Sequence, residues 1–162
     1  MAICASNQYD SRNFAAEAKR FAATDLVITG ELTMHVGVPK EVKIEEYRVG
    51  LTPNNVRELV NLGHQVSVQS HAGHAIGFTD ELYLEAGAVI LESADEVYAA
   101  AEMIVKVKEP QASEYALIRP GQILFTYLHL APDLAQTEAL LAADCVAIAY
   151  ETVTDRQGRL PL

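Results

Sequence analysis

Short apolar segments alternate with amphipathic segments through residues 34–152, and this alternation restricts the possible folds more than any other feature of the sequence. The first unit has a short strand at 34–39, a helix at 52–63 and an alternating strand at 64–69. A strand, a helix and a strand within about thirty-five residues are typical of a βαβ unit, whose strands are parallel. We therefore expect an α/β layer with a mostly parallel sheet and with helices on both faces.

The same pattern repeats along the chain, and the helices have clear capping residues. Thr52 followed by Pro53 begins the first helix, because threonine suits the N-cap and proline suits the first helical position. Thr79, Ser93 and the 132–133 pair begin later helices. The fold class predicted is α/β, a Rossmann-like or flavodoxin-like single domain. Further strands are expected at 88–91, 103–108, 123–129 and 146–150, with a short helix at 113–118.

Composition and charge exclude several classes of protein. The chain has 162 residues, 50% hydrophobic and 21% charged, a balance typical of a globular protein. Its net charge of −10 argues against non-specific binding to nucleic acid or to an anionic membrane. No apolar run approaches a membrane span and the N-terminus is not signal-like, so we expect a cytoplasmic protein.

Cys4 and Cys145 form no CxxC motif, which argues against a zinc or redox site, and Cys145 is expected in the core.

Residues 1–33 do not continue the pattern of the rest of the chain and are treated as an N-terminal extension of unknown role. Asp10 or Ser11 could cap a helix that runs through 14–22, and 25–30 could form a short strand. The extension could be a docking or regulatory arm. It could instead be upstream sequence that is translated together with the domain. We favour the second interpretation.

Two predicted strands carry polar residues at their carboxyl ends. The strand at 103–108 places Lys106 and Lys108 on the same face before a proline ends it. The strand at 123–129 ends at His129. Ligands of open α/β sheets bind just outside the carboxyl ends of the strands. A cation and an imidazole at neighbouring strand ends would therefore form a site for a small anion.

Each candidate also has an interpretation without function. Lys108 could bind a carboxylate or carbonyl oxygen, or it could belong to a solvated lysine pair. His129 could transfer protons, or it could be a core histidine satisfied by a backbone carbonyl. Arg48 could grip a carboxylate with its planar fork, or it could pair at the surface with Glu45 or Glu46.

Other residues and motifs narrow the possible chemistry. His64, His71 and His74 have no acidic or cysteine partner at ligand spacing, so we expect no metal site. The sequence contains no G-x-S-x-G motif, P-loop or paired-carboxylate signature. No G-x-G-x-x-G follows a strand, so a nicotinamide-binding half is not visible. Glu151, at the end of the last strand, pairs with a cation or is a solvated edge carboxylate.

The candidate residues belong to a set of motifs that spans 34–162. In their order these motifs resemble the N-terminal substrate domain of alanine dehydrogenase, the bacterial NAD-dependent enzyme. The N-terminal domain of proton-translocating transhydrogenase alpha subunits shares the fold but is a poorer match at Lys-Glu-Pro and Leu-His-Leu-Ala. The motifs are Val-Gly-Val-Pro-Lys-Glu at 36–41, Tyr-Arg-Val-Gly-Leu-Thr-Pro at 47–53, Leu-Gly-His at 62–64, Lys-Val-Lys-Glu-Pro at 106–110, Gly-Gln-Ile-Leu-Phe-Thr-Tyr-Leu-His-Leu-Ala at 121–131 and Ala-Tyr-Glu-Thr-Val at 149–153.

The resemblance implies a reaction and a set of roles. The reaction is the reversible oxidative deamination of L-alanine to pyruvate and ammonium, with hydride passing to NAD. Arg48 and Lys108 would hold the substrate carboxylate and carbonyl oxygen, and His129 would be the acid/base histidine. Full-length members of the family would be homo-oligomers.

The family's chain continues into a Rossmann domain that binds NAD and carries a catalytic aspartate. We therefore expect 34–162 to be the substrate-binding domain, truncated before the NAD-binding domain and inactive alone. The family's chain would begin at Met34, after the extension. Two alternatives stay open, a non-catalytic interaction or oligomerisation module and the N-terminal part of a transhydrogenase alpha subunit.

Overall fold

A computed structural model describes residues 2–4 and 33–160 of the chain. The helix expected from Asp10 or Ser11 and the strand expected at 25–30 lie outside the described residues. The described strands and α-helices, in chain order, are β1 (Ala2–Cys4), β2 (His35–Val38), α1 (Pro53–Asn61), β3 (Gln65–Gln69), α2 (Asp80–Glu85), β4 (Val89–Leu91), α3 (Ala94–Ala100), β5 (Met103–Val105), β6 (Ile123–Thr126), α4 (Leu134–Ala143) and β7 (Val146–Ala149).

The strands form one sheet in the order β1-β7-β6-β5-β2-β3-β4. Strands β2 to β7 are parallel to their neighbours, and β1 runs antiparallel along β7. From β2 in the middle, the chain moves outward to β3 and β4 and then returns to β5 on the other side of β2. This is the doubly wound Rossmann order, and its switch point lies between β2 and β5. The expected Rossmann-like, mostly parallel sheet is confirmed.

The core consists of two apolar layers, one on each face of the sheet. Val105 belongs to the layer that contains Val56 of α1, whereas its strand neighbour Ile104 belongs to the layer that contains Leu140 of α4. Successive residues of a strand point to opposite faces, so the two layers lie on opposite sides of the sheet. Cys145 lies in the second layer with 2% of its surface exposed, which confirms the expected core cysteine.

The predicted helix caps explain where the helices begin. The side chain of Thr52 accepts a hydrogen bond from the backbone N–H of Asn55 at 3.3 Å, and Pro53 is the first residue of α1. Ser93 caps α3 and Asp133 caps α4 in the same way. Thr79 stands at the N-cap of α2 but accepts no backbone hydrogen bond there. The sequence therefore predicts the start of each described α-helix correctly.

Two of the predicted strands are shorter than expected at their carboxyl ends, which lead into the candidate site residues. Strand β5 ends at Val105, so the prediction that Lys106 and Lys108 share a strand face is wrong. Strand β6 ends at Thr126, three residues before His129. Beyond Val105 two backbone bonds still join these segments, from the Lys106 N–H to the Phe125 carbonyl at 3.1 Å and from the Tyr127 N–H to the Val107 carbonyl at 3.4 Å, and side chains satisfy other backbone groups there. For example, the hydroxyl of Thr126 donates to the Lys108 carbonyl at 2.8 Å.

The segment expected as a short helix at 113–118 is a single 3₁₀ turn at Tyr115–Leu117. Two further 3₁₀ turns follow β3 and β7, at His74–Ile76 and Tyr150–Thr152. Within the described ranges, no helix has both the length and the hydropathy needed to cross a membrane.

Candidate active site at the switch point

The carboxyl ends of β2, β5, β6 and β7 lead into four segments, 39–50, 106–110, 127–131 and 150–152. Parallel strands end at the same edge of a sheet, so these segments share that edge. The crevice between β2 and β5 is where a doubly wound sheet binds its ligand. All the residues singled out from the sequence as site residues lie on these segments.

Gly50 brings the segment that carries Arg48 against the end of β5. A Cβ added to Gly50 would lie 2.9 Å from the carbonyl carbon of Val105 and well inside van der Waals contact of its oxygen. Only a residue without a side chain allows this approach. Arg48 is two residues before this contact and Lys108 three residues after it, so the contact brings the two cations into one region.

Lys108 and His129 meet on the ring of Tyr127. The Lys108 ammonium lies 5.9 Å from the centroid of that ring, within the usual range of a cation–π contact. The His129 ring stacks on Tyr127 at a centroid distance of 5.4 Å and an interplanar angle of 13°. The two residues predicted from strand ends are therefore brought together, through an aromatic residue to which the sequence analysis gave no role.

A second tyrosine supports this ring. Tyr150 packs edge-on to Tyr127 at 4.5 Å, and its hydroxyl donates to the Val107 carbonyl at 2.8 Å. Tyr150 follows β7, and it thereby ties the last strand to the segment that carries Lys108. The motif at 149–153 contained this tyrosine, but its spacing carried no signal for an aromatic support.

The backbone at His129 is held in an uncommon conformation by Glu151. His129 has a φ of 47°, in the left-handed region, and its side chain is exposed. One oxygen of Glu151 accepts the backbone N–H groups of Leu128 at 3.0 Å and His129 at 3.1 Å. Burial tends to raise the pKa of Glu151, but these hydrogen bonds outweigh it and lower the pKa. The carboxylate of Glu151 thus fixes the loop that presents the imidazole, a role that neither sequence interpretation included.

Arg48 forms the surface pair that was its alternative interpretation. Its Nε donates to Oε1 of Glu46 at 2.8 Å and its Nη2 donates to Oε2 at 2.6 Å. The hydrogen bonds from Arg48 lower the pKa of Glu46 to about 2 and raise the pKa of the guanidinium. This contact uses one edge of the planar group, and 60% of the Arg48 side chain stays exposed. The remaining edge is available for a second carboxylate.

Electrostatic interactions link Arg48 and its partner Glu46 to residues of the neighbouring segments. Arg48 interacts with Tyr150, and Glu46 interacts with Lys108. Arg48 also lines a cleft of about 310 Å³ between the loops at 40–48 and 71–75. Neither Lys108 nor His129 lines this cleft. The structure therefore places Arg48 in this cleft, whereas Lys108 and His129 meet on Tyr127.

The cation of Lys108 has no carboxylate within ion-pair distance among the described residues. Its sequence neighbour Glu109 pairs with Lys43 instead. Burial favours a higher pKa for Glu109, but the contact with Lys43 prevails and the pKa is lowered. A charge without a direct counter-ion at a strand end is suited to bind an anionic or polarised oxygen.

Lys106 is buried, which the interpretation as a solvated lysine pair did not foresee. Its Nζ lies 2.9 Å from Glu114 and 3.3 Å from Glu41, and its side chain is fully buried. Burial raises the pKa of Glu41, although Lys106 opposes the shift. The hydroxyl of Tyr98 also donates to Glu114 at 3.1 Å, and burial raises the pKa of that hydroxyl. We call these four residues the buried charge cluster.

Within the described part of the chain, no group of three or more His, Cys, Asp or Glu side chains could hold a metal ion. The side chains present can instead hold a small carboxylate, polarise a carbonyl oxygen and exchange a proton at an imidazole. Ligands of a doubly wound α/β sheet bind at its switch point, and these groups lie at that edge of the sheet.

The chain belongs to the family described as alanine dehydrogenase/PNT, N-terminal domain, whose model matches residues 37–162. It is 50% identical over 129 residues to the alanine dehydrogenase of Mycolicibacterium smegmatis, a match that covers 80% of this chain and 35% of the relative. It is 53% identical over 129 residues to the alanine dehydrogenase of Methanococcus maripaludis, with the same two coverages. The chain thus spans about a third of the length of these relatives.

Solved structures agree with this assignment. An L-alanine dehydrogenase superposes with a TM-score of 0.77 at 49% identity, covering 79% of this chain and 35% of the solved chain. A transhydrogenase from Sinorhizobium meliloti superposes with a TM-score of 0.69 at 28% identity, covering 75% and 34%. The family resemblance drawn from the motifs is confirmed, and the alanine dehydrogenase interpretation fits better than the transhydrogenase alternative.

Proposed function

We propose that this chain forms the substrate-binding part of an alanine dehydrogenase. That enzyme would convert L-alanine, NAD and water reversibly to pyruvate, ammonium and NADH in the cytoplasm. The meeting of Lys108 and His129 on Tyr127, at the edge of the sheet where the switch point lies, is the observation that carries the proposal. In this proposal residues 34–162 are the substrate domain, preceded by the extension of unknown role at 1–33.

Each side chain has a task that its surroundings permit. Arg48 binds the substrate carboxylate through the guanidinium edge that Glu46 leaves free. The ammonium of Lys108 binds the carbonyl oxygen of pyruvate and stabilises negative charge that develops there. His129 gives and takes protons as water or ammonia adds to that carbonyl carbon, since imidazole exchanges protons near neutral pH. Two fixed cations orient a small 2-oxo acid, which lowers the entropic cost of reaction.

The residues described here do not form a dinucleotide site. No glycine-rich turn follows β2, where a pyrophosphate would approach the backbone. The buried carboxylate of Glu41 occupies that turn, and the next helix begins only at Pro53. We propose that the cofactor is held by a separate domain of the enzyme and that full-length subunits form homo-oligomers.

Calorimetric titration with pyruvate tests the proposal. We expect binding by the wild-type chain, and a loss of affinity of about tenfold or more in Arg48→Ala and in Lys108→Met, since charge-assisted contacts to a carboxylate contribute strongly. Arg57→Ala is the matched control, because it removes a cation from the exposed face of α1. Absence of pyruvate binding by a folded wild-type chain would refute the proposal.

A turnover assay tests whether the chain is inactive without the domain that holds the cofactor. The purified chain is expected to show no NADH-dependent amination of pyruvate, because hydride transfer needs a cofactor placed against the substrate. A rate above background that disappears in Lys108→Ala would show that this expectation is wrong.

One observation favours a second function, that of a non-catalytic association module. Several large apolar side chains are exposed, among them Ile44 at 90% and Leu134 at 72%. Exposed apolar surface promotes association with a full-length subunit or with another copy. Light scattering with size exclusion, with and without a full-length relative, would reveal such association, and Leu134→Ser would weaken it.

A further inference from the structure

The segment 106–108, which presents Lys108, is held by side chains from other elements. The Tyr150 hydroxyl donates to the Val107 carbonyl at 2.8 Å, and the Thr126 hydroxyl donates to the Lys108 carbonyl at 2.8 Å. The Val107 N–H donates to Oε1 of Glu41 at 2.7 Å. Two backbone bonds join the same segment to the end of β6, from the Lys106 N–H to the Phe125 carbonyl and from the Tyr127 N–H to the Val107 carbonyl. Together these contacts hold the backbone from which the Lys108 side chain extends.

Glu41 differs from the other two anchors because it reaches across the switch point. It follows β2, whereas Val107 follows β5, so its contact joins the two strands whose ends form the crevice. Its second oxygen lies 3.3 Å from the ammonium of Lys106, and 2% of its side chain is exposed. One carboxylate thus holds both a backbone N–H and the neighbouring side chain of the same segment.

We propose that Glu41 is a positioning residue for Lys108, an inference that rests on the function proposed above. Its carboxylate anchors the 106–108 segment so that the Lys108 ammonium meets the carbonyl oxygen of a small 2-oxo acid. Glu41 acts through Val107 and Lys106 and does not itself bind the substrate. A displacement of about 1 Å in a group that orients substrate can cost about 100-fold in rate, so the anchor matters even at a distance.

Glu114 provides the comparison that separates positioning from stability. It also pairs with Lys106, at 2.9 Å, but its other bonds come from Tyr98 and from the backbone N–H of Gln111. It makes no contact with Val107 among the described residues. Loss of Glu114 therefore weakens the buried charge cluster and leaves the backbone anchor in place.

The test uses four variants of the whole chain. Glu41→Ala removes the anchor and the ion pair, whereas Glu41→Gln keeps an acceptor for the Val107 N–H and removes only the charge. Glu114→Ala lowers stability without loss of the anchor. Glu45→Gln removes the same charge from the same cleft, and Glu45 makes no bond to 106–108 in the described chain.

Pyruvate affinity by calorimetry is the first readout. Glu41→Ala is expected to weaken binding about tenfold, which equals about 1.4 kcal/mol. Glu41→Gln should restore most of the loss, while Glu45→Gln and Glu114→Ala should bind within about twofold of wild type, as expected where no anchor is lost. Pyruvate binding by Glu41→Ala equal to wild type, or an equal loss in Glu114→Ala, would overturn the inference.

Amide hydrogen exchange at Val107, measured by NMR, separates this inference from the proposed function. If wild-type chain does not bind pyruvate, the proposed function fails, and exchange alone then decides the role of Glu41. Faster exchange at Val107 and Lys108 in Glu41→Ala, reversed in Glu41→Gln, supports the anchor. Unchanged exchange in Glu41→Ala overturns it.

Discussion

Replacement of Lys106 by methionine is expected to destabilise the domain strongly. Methionine fills much of the same space, but it removes the ammonium that lies 2.9 Å from Glu114 and 3.3 Å from Glu41. Both carboxylates would then be buried without their cation. Removal of one partner from a buried ion pair typically costs about 3–5 kcal/mol.

This cost is large compared with the stability of a single domain. Domains unfold with a free energy of about 5–15 kcal/mol, so the variant loses at least about a fifth of that and, in a marginally stable domain, most of it. For a chain of this size each kcal/mol lowers the midpoint of thermal unfolding by about 2–4 °C, which gives a decrease of about 6–20 °C. Urea and thermal unfolding followed by circular dichroism measure both quantities.

A matched triple variant tests the electrostatic cause. Lys106→Met combined with Glu41→Gln and Glu114→Gln contains no buried charge in the cluster and should recover most of the lost stability.

The sign of the pH dependence follows from Glu41, whose folded pKa is raised above 4.5. The folded state then binds a proton that the unfolded state has released, so stability from this group falls as pH rises above 4.5. The loss of stability caused by Lys106→Met should therefore increase as the pH rises above 4.5. A loss below about 0.5 kcal/mol, the range of ordinary surface substitutions, would refute this reasoning.

Three further variants probe the site. Gly50→Ala places a methyl group against the Val105 carbonyl and should cost about 1–3 kcal/mol in urea unfolding; full stability would disprove the close approach. Glu46→Gln removes a carboxylate whose pKa is about 2. Wild type should lose the stability from this group as the pH falls from 4.5 to 2, and the variant should not show this loss. An acid transition equal to that of wild type would contradict this. Glu151→Ala should speed amide exchange at His129 by about tenfold relative to α1, and unaltered protection would argue against the anchor.

The sequence predicted the features that depend on local chemistry. Thr52 and Pro53 mark the start of α1 because a cap and a first-turn proline act on adjacent residues. The alternation of strands and helices predicted the doubly wound sheet, since parallel strands need crossover helices. Lys108 and His129 were chosen because their strands end at one edge, and the structure brings them together on one ring.

The features that the sequence did not predict depend on partners far away in the chain. The Val107 N–H, two residues after β5 ends, is satisfied by Glu41, which lies 66 positions earlier in the chain. Lys106 is buried because carboxylates from two other segments surround it, whereas a lysine in a sequence pattern normally indicates solvent. Tyr127 was missed because an aromatic residue after a strand is more often core than a support for a cation.

The central claim is that a small 2-oxo acid binds at the switch point between β2 and β5. Titration of the ¹⁵N-labelled chain with pyruvate, followed by NMR, tests it most directly. We expect the amide shifts to concentrate at Arg48, Lys108 and His129 and to be lost in Lys108→Met, while α4 stays unaffected. Shifts confined to α4 or to the opposite edge of the sheet, or no shifts at all, would contradict the claim.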